Sequence, residues 1–237
     1  MGSAARMRRV YEPPTTLASG AGRLGELVLR RRGGTSPVYE LIVNGVFLMD
    51  TAETSTERLL ADAVLQRSEA PRHVMVGGLG LGYTVKALLA DRRIERIDVI
   101  EIEPLLVDWL RADLVPGTSA LLSEQRVRVT IGDVASAFAD AAPASYDVAL
   151  LDVDNGPDFL VHERNATVYH EGVLSAAGRA LRPGGILAVW SAAPSESLSE
   201  RLAATVGPVE VITAGVTRDG RAMSYYLYLA TATPADR

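Results

Sequence analysis

Apolar and polar positions change their period twice along the chain. In the first quarter, "RLGELVLRRR" reads as a strand. "YELIVNGVFLMD", Tyr39 to Asp50, then reads as a hairpin, two apolar runs around Asn44-Gly45, a dipeptide suited to a tight two-residue turn. The period then lengthens. "TERLLADAVLQ" carries apolar residues at helical spacing, with Thr54 or Ser55 placed to cap it. From residue 73 onward, strands and helices alternate. "HVMVGG", "IERIDVIEIE", "RVRVTIGD", "YDVALLDV" and "ILAVWSA" predict five strands. "YTVKALLAD", "PLLVDWLRADL" and "NATVYHEGVLSAAGRALRPGG" predict helices, the second opening with Pro104 in its first turn and the third ending at Pro183-Gly184. "VEVITAG" and "AMSYYLYLA" predict a closing antiparallel pair.

Alternation of this kind predicts crossover connections and a mostly parallel sheet. The first of these strands are almost continuously apolar, as expected when helices cover both faces. The fold class is therefore α/β, a doubly wound, mostly parallel sheet with a small N-terminal β-hairpin region. Residues 1–20, rich in Pro, Gly, Ser and Thr, are expected to be flexible. Residues 21–70 form the small β region plus a helix, and 71–237 the doubly wound domain. Ligands of such a fold sit outside the carboxyl ends of the strands.

Composition narrows the function without naming it. Of the 237 residues 48% are hydrophobic, enough for a sizeable core. A formal net charge of −5 argues against a nucleic-acid partner. The absence of cysteine excludes disulfides, a thiol nucleophile and cysteine-held metal, and fits a cytoplasmic protein; no metal site is expected. No apolar run is long enough to span a membrane, and the basic start lacks the apolar stretch of a signal peptide.

The candidate chemistry lies just after the strands. "VMVGGLGLGYT" places Gly77, Gly78, Gly80 and Gly82 where a strand runs into a helix, an arrangement that lets a ligand approach the backbone and meet free N–H groups. Glu101 and Glu103 follow the second strand, about twenty residues on, well placed for ribose hydroxyls. Asp133 follows the third strand, where it could equally cap the helix "VASAFADA". Asp152 and Asp154 follow the fourth. Each acid alone has an ordinary reading as a cap or a solvated charge, but acids at consecutive strand ends around one crevice point to a ligand. The spacing G-x-G-x-G departs from the G-x-G-x-x-G of dinucleotide redox enzymes and favours a single adenosine.

The ordered set "VMVGGLGLGYT…IDVIEIEP…VTIGDVASAF…YDVALLDVDNGP…LRPGGILAVWS" resembles the spermidine synthase-like branch of the class I S-adenosylmethionine-dependent methyltransferase superfamily. The resemblance implies a Rossmann-like domain that binds S-adenosylmethionine or its decarboxylated form. It implies glycines against the methionine-derived part, Glu101 on the ribose, Asp133 on the adenine amino group, and Asp152 helping to deprotonate an attacking amine. It also implies a small-molecule acceptor and pairing into a homodimer.

The departures from the family pattern matter as much. Gly80 stands where the family's glycine loop carries Asp, Leu48 where it carries Gln, no Tyr is found near Thr56, and the catalytic loop is shortened to "DVDNGP". A carboxylate at position 80 would repel the carboxylate of ordinary S-adenosylmethionine; Gly80 removes that repulsion and is expected to leave room. The expected activity is therefore methyl, or other alkyl, transfer to a small acceptor, with an amine in view. The alternatives are polyamine aminopropyl transfer from decarboxylated S-adenosylmethionine, and a non-catalytic nucleoside binder. Tyr169, His162 and His170, in or after the shortened loop, are candidates to shape the acceptor pocket, although each histidine reads more simply as a surface residue.

Overall fold

A computed structural model describes residues 13–153, 167–218 and 221–233. The N-terminal part is a four-stranded antiparallel sheet, β1 (Thr15–Gly22), β2 (Gly25–Arg32), β3 (Val38–Val43) and β4 (Val46–Asp50), in that spatial order. The hairpin turn falls at Asn44-Gly45, with φ of 50° and 75°, the left-handed pair that matches strand twist. Asn44 also accepts a bond from the Glu26 amide and donates to the Leu24 carbonyl, so one turn residue secures the neighbouring strand. Glu40 and Asp50 are buried in this sheet and paired with Arg30 and Arg32.

Residues 15–20 were expected to be flexible, yet they lie within β1. "TTLASGAG" has no apolar alternation to announce a strand. Its small residues serve a contact instead. A side chain at Gly20 would come within 3.0 Å of Leu105, and one at Gly22 would overlap the Glu103 carboxylate. β1 can therefore lie against the segment that follows the second parallel strand.

The main sheet has seven strands. They are β5 (His73–Gly77), β6 (Arg96–Glu101), β7 (Val127–Ile131), β8 (Tyr146–Leu151), β9 (Leu181–Ser191), β10 (Val209–Arg218) and β11 (Arg221–Thr231). Their order is β10-β11-β9-β8-β5-β6-β7. β5 to β9 are mutually parallel, and β11 and β10 close one edge antiparallel. The chain leaves β5 toward β6 on one side and later toward β8 on the other, so the order reverses at β5, where such sheets bind ligands.

Helices cover both faces. They are α1 (Ser55–Arg67), α2 (Tyr83–Leu89), α3 (Pro104–Arg111), α4 (Thr118–Leu122), α5 (Val134–Asp140), α6 (Glu171–Ala180) and α7 (Glu196–Thr205). Alternate residues of each central strand feed opposite cores. Val74, Val76, Val148 and Leu150 pack with Leu60, Leu88 and Leu110, together with the apolar face of β2 and β3. Met75, Ala149 and Leu151 pack with Phe138, Leu174 and Leu198. The third predicted helix is shorter than its pattern: α6 ends at Ala180, and Pro183-Gly184 lie within β9. The expected α/β class, a doubly wound, mostly parallel sheet with a small N-terminal β region, is thus the observed fold.

Candidate functional site

Bonds beyond the ends of the parallel ladder draw four strand ends together. Gly78 N donates to the Ile100 carbonyl at 2.9 Å, Gly132 N to that of Glu101 at 2.9 Å, and Asp152 N to that of Gly77 at 2.9 Å. Gly78 adopts φ +91°, and a Cβ there would lie 2.2 Å from the Asp152 carbonyl oxygen, so neither the conformation nor the space admits a side chain. Above these loops lies a cleft of about 660 Å³, lined by Gly78, Gly80, Glu101, Glu103, Gly132, Asp133 and Asp152. β2, β3 and β4 add Leu27, Leu41, Phe47 and Met49, the segment before α1 adds Glu53, and α1 adds Thr56 and Glu57.

Glu101 is buried at the end of β6 and accepts the Leu79 amide at 2.8 Å and the Glu103 amide at 2.8 Å. One carboxylate thereby fixes the glycine loop and faces the cleft. Burial pushes its pKa up, the two amides act the other way, and nearby Glu103 adds to the rise. Each carboxylate oxygen can accept more than one donor, so a ribose diol fits the chemistry of this group.

Glu103 is committed elsewhere in part. It caps α3 through the Leu105 amide and accepts the Arg23 amide at 2.7 Å, tying the β1–β2 turn to that helix. Asp133 does cap α5, accepting the Ala135 amide at 2.8 Å, and it is also exposed on the cleft wall, so its two readings coexist. Asp152 accepts the Thr84 hydroxyl at 2.8 Å, and burial raises its pKa.

Other candidates fall outside the cleft. Gly77 is buried where a Cβ would press on Val134, and Gly82 turns the chain into α2 beside Leu121; neither lines the cavity. Tyr169 is buried with Leu174 and Phe138 in the second core and is not among the described residues that line the cleft. His170 is exposed at the N-cap of α6. Asp154 and His162 lie outside the described residues.

The space expected over Gly80 is filled. A Cβ there would lie 2.8 Å from Met49 Sδ, and the Leu81 amide points at the same sulfur at 3.3 Å. An apolar thioether from β4 covers this part of the loop. Glu57 was missed entirely, because at the start of an amphipathic helix a glutamate reads as solvated. It accepts the Thr56 hydroxyl at 2.8 Å, and burial, then the charge of Asp152, raise its pKa from 4.5 to about 7. Trp190 and Tyr225, with rings 5.1 Å apart, close another wall.

The spermine/spermidine synthase domain family matches residues 53–206, which takes in the glycine loop, Glu101, Asp133 and Asp152. The chain belongs to this family. A polyamine aminopropyltransferase of Mycobacterium tuberculosis is 32% identical over 173 residues, covering 71% of this chain and 31% of the relative. Putrescine N-methyltransferase 3 of Nicotiana tabacum is 36% identical over 120 residues, 49% of this chain and 29% of the relative. The chain thus spans about a third of the length of these curated relatives. Among solved structures, a spermidine synthase in complex with the transition-state analogue AdoDATO matches with a TM-score of 0.78 at 17% identity, over 91% of this chain and 73% of that one. The spermidine synthase of Thermotoga maritima matches at 0.75 and 16%, over 91% and 72%. At such identity the structures speak for the fold.

Proposed function

We propose that this protein transfers a methyl group from S-adenosylmethionine to a small amine. The observation that carries the amine is the charge of the cleft. Its described lining contains Glu53, Glu57, Glu101, Glu103, Asp133 and Asp152, and among the described residues no Lys, Arg or His. A cavity of one sign favours cations, here a sulfonium donor and an ammonium acceptor. Glu101 would hold the ribose, Asp133 the adenine amino group, and the backbone from Gly78 to Gly80 the methionine-derived tail. The donor supplies an electrophilic carbon on a positively charged sulfur; the protein's part is alignment and exclusion of water.

Ordinary S-adenosylmethionine is favoured as donor because Met49, and no acid, covers Gly80. A second reading, aminopropyl transfer from the decarboxylated donor, is favoured by the lack, among the described residues, of a lining cation to hold the donor's carboxylate. Each of the two relatives is named for one of these chemistries, the aminopropyltransferase matching over 71% of this chain and the methyltransferase over 49%. Incubating the protein with each donor and 1,4-diaminobutane, followed by mass analysis of the product, separates them. A methylated diamine is expected. An aminopropylated one moves the assignment to the second reading, and no product from any diamine or monoamine tested overturns both.

A further inference from the structure

Glu57 stands outside every motif that carries the family resemblance, yet it shares the cleft with Asp152. The two carboxylates come from different elements, the first turn of α1 and the end of β8. Each is anchored through one oxygen by a threonine hydroxyl, Thr56 for Glu57 and Thr84 for Asp152. We infer that Glu57 is the proton acceptor for a cationic acceptor in this cleft, acting as a pair with Asp152. The inference rests on the amine reading given above.

The surroundings of the pair explain why it would hold a proton when no cation is docked. From the segment before α1 it faces Glu53. Tyr83 of α2, whose hydroxyl is pushed up by burial, feels the charges of Glu57 and of Asp50 at the end of β4. Tyr225 of β11 and Trp190 of β9 add aromatic wall. Arg58, the next residue of α1, bonds the Thr54 carbonyl and hydroxyl. Two carboxylates in one half-buried site, with no cation among its described lining residues, do not both ionise readily. They titrate as a unit, one proton being retained well above the ordinary carboxylate range. The raised value of Glu57, about 7, agrees with this.

A docked ammonium changes the balance. Its positive charge displaces the retained proton to solvent and leaves both carboxylates ionised. The ammonium then passes one N–H proton to Glu57 and becomes a neutral amine. The nitrogen lone pair forms the new N–C bond as the C–S bond breaks, and the bonding pair goes to sulfur as a neutral thioether. The nitrogen carries the positive charge of the alkylated product, and the proton on Glu57 leaves to water with product release. Asp152 holds the ammonium in place throughout.

The test uses the intact chain labelled with [δ-13C]glutamate and reads carboxyl carbons by NMR against pH, with and without 1,4-diaminobutane. The resonance missing from Glu57→Gln identifies Glu57; Glu57→Asp removes the same resonance should the first variant fold poorly. A midpoint near pH 7 that falls by roughly one unit or more when the diamine is added is the expected result. A midpoint in the ordinary range, or a high midpoint that the diamine does not move, overturns the inference. Failure of the transferase reading shows separately, as no binding of either sulfonium donor by calorimetry while the Glu57 titration still responds to the diamine.

Discussion

Gly78→Ala perturbs the point on which the cleft is built. The native φ of +91° is one that alanine avoids at a cost of about 1–3 kcal/mol. The added Cβ would sit 2.2 Å from the Asp152 carbonyl oxygen, a backbone atom that cannot rotate away. Either the glycine loop or the strand end after β8 must move, which strains the bonds from Gly78 N to Ile100 and from Asp152 N to Gly77. One weakened bond adds about 1 kcal/mol. The total of about 2–4 kcal/mol corresponds to a fall in Tm of roughly 4–16 °C in a chain of this size. Differential scanning calorimetry reads the stability, and titration calorimetry with S-adenosylmethionine reads the site. Two controls isolate the cause. At Gly132 an added Cβ meets nothing within 4 Å but faces the cleft, so Gly132→Ala should keep its Tm and weaken donor binding. At Gly215, in β10, a Cβ also meets nothing, and Gly215→Ala should change neither. A Gly78→Ala protein with native Tm and native affinity would refute the reasoning.

Glu101→Gln should weaken S-adenosylmethionine at least tenfold, since bonds to a charged acceptor are worth about 1.5–3 kcal/mol; unchanged affinity by calorimetry, with native circular dichroism, would place the ribose elsewhere. Glu57 binds its proton more tightly folded, at about 7, than its ordinary 4.5, so its contribution to stability is full below pH 4.5 and is lost as pH rises through about 7. The Tm of Glu57→Gln relative to wild type should therefore climb between pH 5 and pH 8, and a constant gap by thermal denaturation would contradict the burial argument. Trp190 lines the cleft whereas Trp109 packs against the core, so a bound donor or amine should change the fluorescence of wild type but not of Trp190→Phe. Identical responses in the two proteins would remove Trp190 from the site.

The parallel strands were legible because their apolar runs are uninterrupted, and the N-terminal hairpin because Asn44-Gly45 has few other uses. Where the sequence misled, tertiary contacts decided. β1 carries no strand pattern, since its glycines serve close approach of Leu105 and Glu103. α7 went unread because "ESLSERLAAT" has only Leu198 and Leu202 as buried anchors. The acids at the strand ends were readable from position alone, and Glu101 and Asp152 do meet at one cleft. Whether a glycine touches that cleft or only packs, as Gly77 does, depends on neighbours such as Val134 far along the chain. The same holds for Met49 over Gly80, and for Glu57, whose burial comes from elements that close over α1 rather than from its helical phase.

The central claim is an amine-directed transferase cleft that takes ordinary S-adenosylmethionine, and the choice of donor tests it most directly. Titration calorimetry of the wild-type protein with S-adenosylmethionine and with its decarboxylated form, in the same buffer and salt, gives the ratio of the two dissociation constants. The account predicts tighter binding of S-adenosylmethionine, because Met49 rather than a carboxylate covers Gly80. Tighter binding of the decarboxylated form would contradict it and assign the protein to aminopropyl transfer.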